Sequence, residues 1–476
     1  MSKVKKESNS VNFQNFACIT RKTWPFSLSE RRKCLKRLLE MLSLHEKEIC
    51  DALFKDLHKP THESLMCEVL TSKQELQFHI KNLRSMVDSK AVHKSLATFG
   101  DNNCVEFQPL GLVLILGAWN YPIQLIALPL AGALAAGNCV VLKPSELAPA
   151  TAALLSRLIP VYLESSICQV FNGGPNETAN LLASNKFDFI FYTGSSRVGK
   201  LIMAEAAKNL TPVCLELGGK SPVYIDASAD IPLTARRIMW GKTLNAGQTC
   251  VAPDYVLCHE AVQEHFIEEC KSVLMSFFPE GTEHNDDYGR LINKNHTQRL
   301  ISMLESSKGT VRVGGSHNVS AKYIEPTLVE VQPDDSLMKE EIFGPILPII
   351  TVGSSQEAID FVNKGEKPLS IYVFSSSKSV FAEWREKTSS GGILHNDCIM
   401  LAGTLGVPFG GVGNSGMGRY HGKSSFLLFS NARSVMDKNT SENVNNKLRY
   451  APYDDKKEKW LRFGMQDPDR SSCNLM

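Results

Sequence analysis

The sequence has no surplus of charge. Its 52 Lys and Arg nearly cancel 50 Asp and Glu, leaving +2 at pH 7 over 476 residues, so a nucleic-acid partner is not announced by bulk electrostatics. It lacks the apolar run that completes a secretory leader, because the basic start MSKVKKESNS leads into polar sequence. Its 13 cysteines are scattered and odd in number, which favours free thiols in the reducing cytoplasm over a disulfide framework. The sequons at Asn176, Asn295 and Asn439 then carry no weight. No zinc pattern is present: Cys250 and Cys258 are too far apart for a CxxC arm and His259 has no HxxxH partner. TGSSRVGK at 193–200 is neither GxGxxG nor a Walker A loop, but a Gly-bearing turn between a strand and a helix whose amides could meet a phosphate. No internal repeat and no nucleic-acid motif is found, and no metal is expected.

What is there suits a large globular protein. Hydrophobic residues make up 43% and charged residues 21%, and the length is enough for two or more domains. Residues 21–100 carry Leu, Lys, Arg and Glu at amphipathic-helix spacings, broken at Pro60. From Gly111 to Leu142 there is no charged residue, a length that raises a membrane span. The Gly, Asn, Tyr and Pro of GAWNYP and the KPSE turn instead divide it into a buried strand–helix–strand unit. Alternation continues with helices at 148–163, 176–183 and 197–208 and strands at 168–171 and 187–194, the pattern of a parallel sheet covered on both faces. A second α/β series starts near Thr211, includes a helix expected to run to Cys250, and continues through the strand VAPDYVLC and SIYVFSSS. After about 433 the chain turns polar and weakly periodic.

Several residues can do chemistry. Cys250 ends NAGQTC, Glu216 lies in LELGGK, Glu341 in KEEIFGP, and Asn120 closes the apolar strand of GAWNYP. A thiol near amide donors ionises more readily, and an amide at a parallel strand's end is where such sheets present ligands. Each also has a structural reading: core cysteine, turn cap, surface acid. FGGVGNSGMG at 409–418 reads either as a substrate mouth or as a tight interdomain loop.

NAGQTC, LELGGK, GAWNYP, KPSE, YTGS and EEIFGP, taken together, resemble the aldehyde dehydrogenase superfamily. LHK, EIFGPILPI and PFGGVGNSGMGRYHGK resemble its class 3, nearest the 3B branch. The resemblance implies two parallel-sheet α/β domains with a small bridging element: a dinucleotide-binding domain from 1–88 and 113–215, a catalytic domain 216–398, a bridging region and substrate mouth from 89–112 and 399–446, and a tail 447–476. It implies Cys250 as nucleophile, Asn120 with the Cys250 N–H as oxyanion donors, and Glu216 as the base that hydrolyses the thioester. Lys143 and Glu146 would meet the adenosine ribose, Gly194 and Ser195 the pyrophosphate, and Glu341 with Phe343 the nicotinamide ribose. The acid at position 146 favours NAD, with NADP as the second option. A thiol esterase and a non-catalytic binding protein are the rival readings. Leu401 replaces a His common in class 3 and is expected at an apolar entrance suited to medium- and long-chain aldehydes; Cys398 is a second thiol to weigh. The resemblance also implies a homodimer. Cys473-Asn-Leu-Met fits a C-a-a-X prenylation motif, with Met pointing to farnesyl, so a prenyltransferase and the cytosolic face of a membrane are expected partners. One lipid chain needs a second contribution, for which the cluster Trp460, Leu461, Phe463 and Met465 and the lysines nearby are available. The tail from Tyr450 to Arg470 has five basic and five acidic residues, so no strong polybasic patch assists.

Overall fold

The charge-free stretch folds inward. In the computed structural model, which describes residues 11–20, 24–92, 101–438 and 447–464, strands Leu112–Leu116 and Cys139–Lys143 are buried along their whole length and pair in parallel. The helix between them, Gln124–Ala136, is buried on every side and carries no charge, as a helix sandwiched between sheet and cover must be. It ends at Gly137 with φ +94°, where a Cβ would lie 2.6 Å from the Arg31 guanidinium carbon; only glycine fits that left-handed cap. Among the described residues no helix is long and apolar enough to cross a membrane.

These strands sit in a six-stranded sheet. Its order is Gly416–Met417, Val213–Leu217, Phe189–Gly194, Leu112–Leu116, Cys139–Lys143, Cys168–Val170, parallel throughout except for the first, short strand. Helices Leu28–Leu44 and Thr71–Val87 pack on helix Gln124–Ala136, and Glu46–Leu57 packs on helix Pro149–Tyr162; the first is opened by a Ser27/Glu30 capping box that satisfies orphan amides reciprocally. A seven-stranded sheet follows, in the order Thr310–Val313, Thr327–Glu330, Ile346–Val352, Tyr255–His259, Pro222–Ile225, Ser370–Phe374, Gly392–His395, parallel except for its first strand. A third, antiparallel sheet joins Lys90–Ala91, Asn102–Pro109 and Ser430–Asp437. This is the two-sheet α/β architecture with a bridging element that the motifs implied.

Two expectations are corrected. The helix expected to reach Cys250 is Ile231–Thr243, and it stops because Asn245 and Ala246 both take φ +52° and Gly247 takes φ +73°. Part of the polar tail is helical, Asp455–Gly464. The Asp454 carboxylate accepts the Lys457 N–H at 2.7 Å as an N-cap, and Glu458 pairs with Arg462 one turn on.

Candidate active site

The loops after the parallel strands meet around Cys250. The main chain leaves helix Ile231–Thr243 through the left-handed residues just named, and a Cβ on Gly247 would fall 2.3 Å from the Gly344 carbonyl oxygen. Gln248 is buried and fully used: its amide donates to the carbonyls of Asn245 and Arg290, both at 3.0 Å, while its Oε1 accepts the Ile292 N–H at 2.9 Å. The glutamine of GQTC therefore fixes the loop that carries the thiol. Asn120, buried at the end of the run from Leu112, donates from Nδ2 to the Gln248 carbonyl at 3.1 Å. That bond uses one of its two amide hydrogens. Next to it the Tyr121 and Thr249 hydroxyls pair at 2.6 Å.

Cys250 is half-buried, and its thiol is pushed up to about 12, first by burial and then by the Glu341 and Glu216 carboxyls. Glu216 lies on strand Val213–Leu217, in register with Gly416. Burial pushes its carboxyl well above the usual range against the pull of Arg419. Among the described residues its Oε1 meets only the Cys214 thiol, at 3.9 Å, and its buried Oε2 has no partner. Glu341 is pushed up to about 8 by burial and by Asp254, opposed by the Gly219 N–H and by Lys220 and Arg299. It lies so close over Gly218 that a Cβ there would be 2.1 Å from Oε2. Phe343, at φ +54°, stands edge-on to Trp119 with ring centres 5.3 Å apart.

A nicotinamide dinucleotide finds suitable groups here. A cavity of 520 Å³ is lined by Ser196, Gly218, Gly219, Lys220 and Glu341. Ser195 caps helix Ser196–Ala207 by accepting the Val198 N–H at 3.4 Å, just after Gly194 ends its strand, and a helix start of this kind favours an anion. Buried Lys143 pairs with exposed Glu146 at 2.5 Å. Glycines whose missing side chains let the main chain and Glu341 come close form the cradle such a ligand requires.

A second cavity, of 450 Å³, holds Asn120, Tyr121, Thr249 and Cys250 against apolar Met66, Leu70, Leu125, Trp240, Ile399, Met400 and Phe409. Leu401 is not on its wall. In the short turn Met400–Gly403 its side chain is turned onto Gly392, where a Cβ would be 2.4 Å from it, and Met400 faces the cavity. Cys398 is buried, donates to the Arg237 carbonyl at 3.1 Å, and burial pushes its thiol up. Cys473 and Met465 lie outside the described residues. Among the described residues no cluster could hold a metal ion. Asn245, Tyr121 and Met66 escaped the motif reading; the run Asn-Ala-Gly, rich in residues that accept left-handed backbone, was the available signal for the first.

Residues 17–435 match the aldehyde dehydrogenase family. The chain belongs to that family. It is 47% identical over 446 residues to the Mus musculus protein named aldehyde dehydrogenase, dimeric NADP-preferring, covering 94% of this chain and 97% of that one. It is 46% identical over 434 residues to family 3 member A2 of Macaca fascicularis (91% and 89% covered) and 45% over 443 residues to family 3 member B1 of Rattus norvegicus (93% and 94%). These relatives make it a class 3 aldehyde dehydrogenase, with A and B branches at nearly equal distance. Among solved structures, the substrate-bound AldH of Staphylococcus aureus superposes with a TM-score of 0.91 at 39% identity, covering 95% of this chain and 98% of that one. The gamma-glutamyl-gamma-aminobutyraldehyde dehydrogenase of Burkholderia cenocepacia gives 0.81 at 27%, with 88% and 86% covered. As an aldehyde dehydrogenase the chain oxidises aldehydes with NAD or NADP through a cysteine thiol, which removes the esterase and non-catalytic readings.

Proposed function

We propose that Cys250 is the nucleophile, Asn120 the oxyanion donor and Glu216 the hydrolytic base of this dehydrogenase. The observation that carries the reading is the joint opening of Asn120 and Cys250 into one cavity, with two carboxyls near enough to raise the thiol. Attack by the Cys250 sulfur on an aldehyde carbon gives a thiohemiacetal, whose oxyanion meets the second amide hydrogen of Asn120 and the Cys250 N–H. Lys143, Glu146, Gly194, Ser195, Glu341 and Phe343 would hold the dinucleotide, which when bound supplies the hydride acceptor. Once the acyl group rests on Cys250 as a thioester, Glu216 takes a proton from water. An unpartnered Oε2 makes its buried position costly, so turning toward water both lowers its pKa and brings it to its task.

The finer assignments rest on narrower support. The bridging regions 89–112 and 399–446, beside a cofactor region 1–88 with 113–215 and a catalytic region 216–398, suit a homodimer, and one relative is named dimeric. Exposed Glu146 beside Lys143 suits NAD, although that same relative is named NADP-preferring. Placement near the 3B branch rests on LHK, EIFGPILPI and PFGGVGNSGMGRYHGK, and prenylation of Cys473 with attachment to a cytosolic membrane face rests on the Cys-Asn-Leu-Met motif; the mass of the terminal peptide from a eukaryotic host decides the prenylation. The apolar wall of the 450 Å³ cavity suits medium- and long-chain aliphatic aldehydes. Each methylene taken from water contributes about 0.8 kcal/mol, so kcat/KM should climb from hexanal to nonanal by up to roughly fiftyfold. The test is the absorbance of reduced cofactor across aldehydes of increasing length. A flat profile removes the alkyl assignment, and no cofactor reduction with any aldehyde removes the mechanism.

A further inference from the structure

A charge pair that the mechanism does not use holds the main chain of Asn120. Lys59 stands at the break after helix Glu46–Leu57, and Glu68 lies on the π-helical stretch Ser64–Leu70. Both side chains are 0% exposed, and the ammonium meets Glu68 Oε1 at 2.5 Å. Glu68 Oε2 accepts the N–H groups of Ile123 at 2.8 Å and Gln124 at 3.3 Å, at the opening of helix Gln124–Ala136. The ammonium's other bond runs to the Asn120 carbonyl at 2.9 Å, and it lies 4.1 Å from the centre of the Tyr121 ring. Asn245 Nδ2 bonds that same carbonyl at 2.9 Å.

Two ions taken wholly out of water cost several kcal/mol each before pairing returns it, and a packed apolar pair serves stability as well or better. What an apolar pair cannot do is grip a carbonyl. With the Asn120 carbonyl held by Lys59 and Asn245, and one side-chain hydrogen held by Gln248, the remaining amide hydrogen has a fixed direction. We propose that Lys59 is a positioning residue for the Asn120 amide, aimed and charge-balanced by Glu68, and that it sets the rate of thiohemiacetal formation through Asn120. This rests on the assignment of Asn120 as oxyanion donor.

The test removes both charges together in the full-length enzyme. Lys59→Met/Glu68→Gln should retain the far-ultraviolet circular dichroism and the affinity for reduced cofactor, read by fluorescence. Its single-turnover burst of cofactor reduction should fall about 10- to 100-fold, with kcat reduced far more than KM is raised. Glu68→Gln alone leaves the ammonium near the carbonyl without the carboxylate that aims it; it should lower the melting temperature and slow the burst about three- to tenfold, less than the double variant does, and it serves as the test if the double variant does not fold. Added to Asn120→Ala, the double substitution should cost almost nothing more, because Lys59 acts through that residue. A wild-type burst in the double variant or in Glu68→Gln, or a full additive loss on Asn120→Ala, overturns the proposal. If Asn120→Ala by itself leaves the burst unchanged, the oxyanion assignment fails first and separately.

Discussion

Cys250, Glu216 and Glu341 form a set of groups each pushed away from its ordinary ionisation, and burial heads the causes for all three. The thiol does the covalent work, so Cys250→Ser should still bind cofactor while its burst rate falls by more than about a thousandfold; near-native turnover would end the assignment. Glu216→Gln separates the halves of the reaction: about one equivalent of reduced cofactor per site should appear in a burst, followed by a stall at the thioester. Loss of the burst with binding intact would move Glu216 into acylation. The same burial bears on stability. Burial pushes the Glu341 carboxyl up to about 8 from the 4.5 of an ordinary glutamate, so the native state holds a proton that the unfolded chain releases between those values. Stability contributed at this site is therefore intact below about 4.5 and is lost as pH rises toward 8. Glu341→Gln cannot ionise, and its melting temperature relative to the natural protein should rise steadily from pH 5 to pH 8. A pH-independent difference would show that the carboxyl is already ionised in the fold.

The turn Leu244–Gly247 is the element on which the site depends. It bends the chain out of helix Ile231–Thr243 with two left-handed non-glycine residues in succession, a strain of about 1–2 kcal/mol each held by the bonds of Gln248 and Asn245. Gly247→Ala adds a methyl 2.3 Å from a main-chain oxygen that cannot step aside, at a residue already at φ +73°. A loss of about 2–4 kcal/mol is expected from urea denaturation, together with slower acylation as the thiol is displaced; a neutral result would mean that the loop adjusts freely. This turn also marks where the sequence was readable. Strand–helix–strand alternation and six short motifs carried the fold class and the polar residues of the site, because burial periodicity and chemically demanding side chains are local signals. The helix end was misplaced because no proline announces it. Leu401 was singled out for its apolarity, yet the direction of a side chain in a one-turn element is set by the turn, and it is Met400 that faces the cavity. The Lys59–Glu68 pair was illegible for a different reason: its partners lie 55 to 61 positions away, and charged residues on amphipathic helices read by default as solvated.

At the scale of the whole molecule, the small antiparallel sheet is what the two large sheets leave uncovered. Strand Ser430–Asp437 pairs along its full length with Asn102–Pro109 and is the outer member of that sheet. Most of its residues are exposed, Met436 among them at 62%. An eight-residue edge with open main-chain groups and no proline invites pairing with another chain unless something covers it. The homodimer proposed above supplies a cover, which makes the edge testable by proline, a residue that removes one N–H and nothing else of the ladder. Successive N–H groups in a strand point to opposite sides, so of Ala432→Pro and Arg433→Pro one strikes the bond to Asn102–Pro109 and the other the open side. Light scattering on the natural protein should give about twice 52.7 kDa. The open-side variant should fall to a single chain with its acylation burst preserved, because the site is built from the two large sheets, while the inward-facing variant should lower the melting temperature of the sheet itself. A natural protein that runs as one chain would remove the dimer, and a dimer that survives both prolines would place its interface elsewhere than this edge.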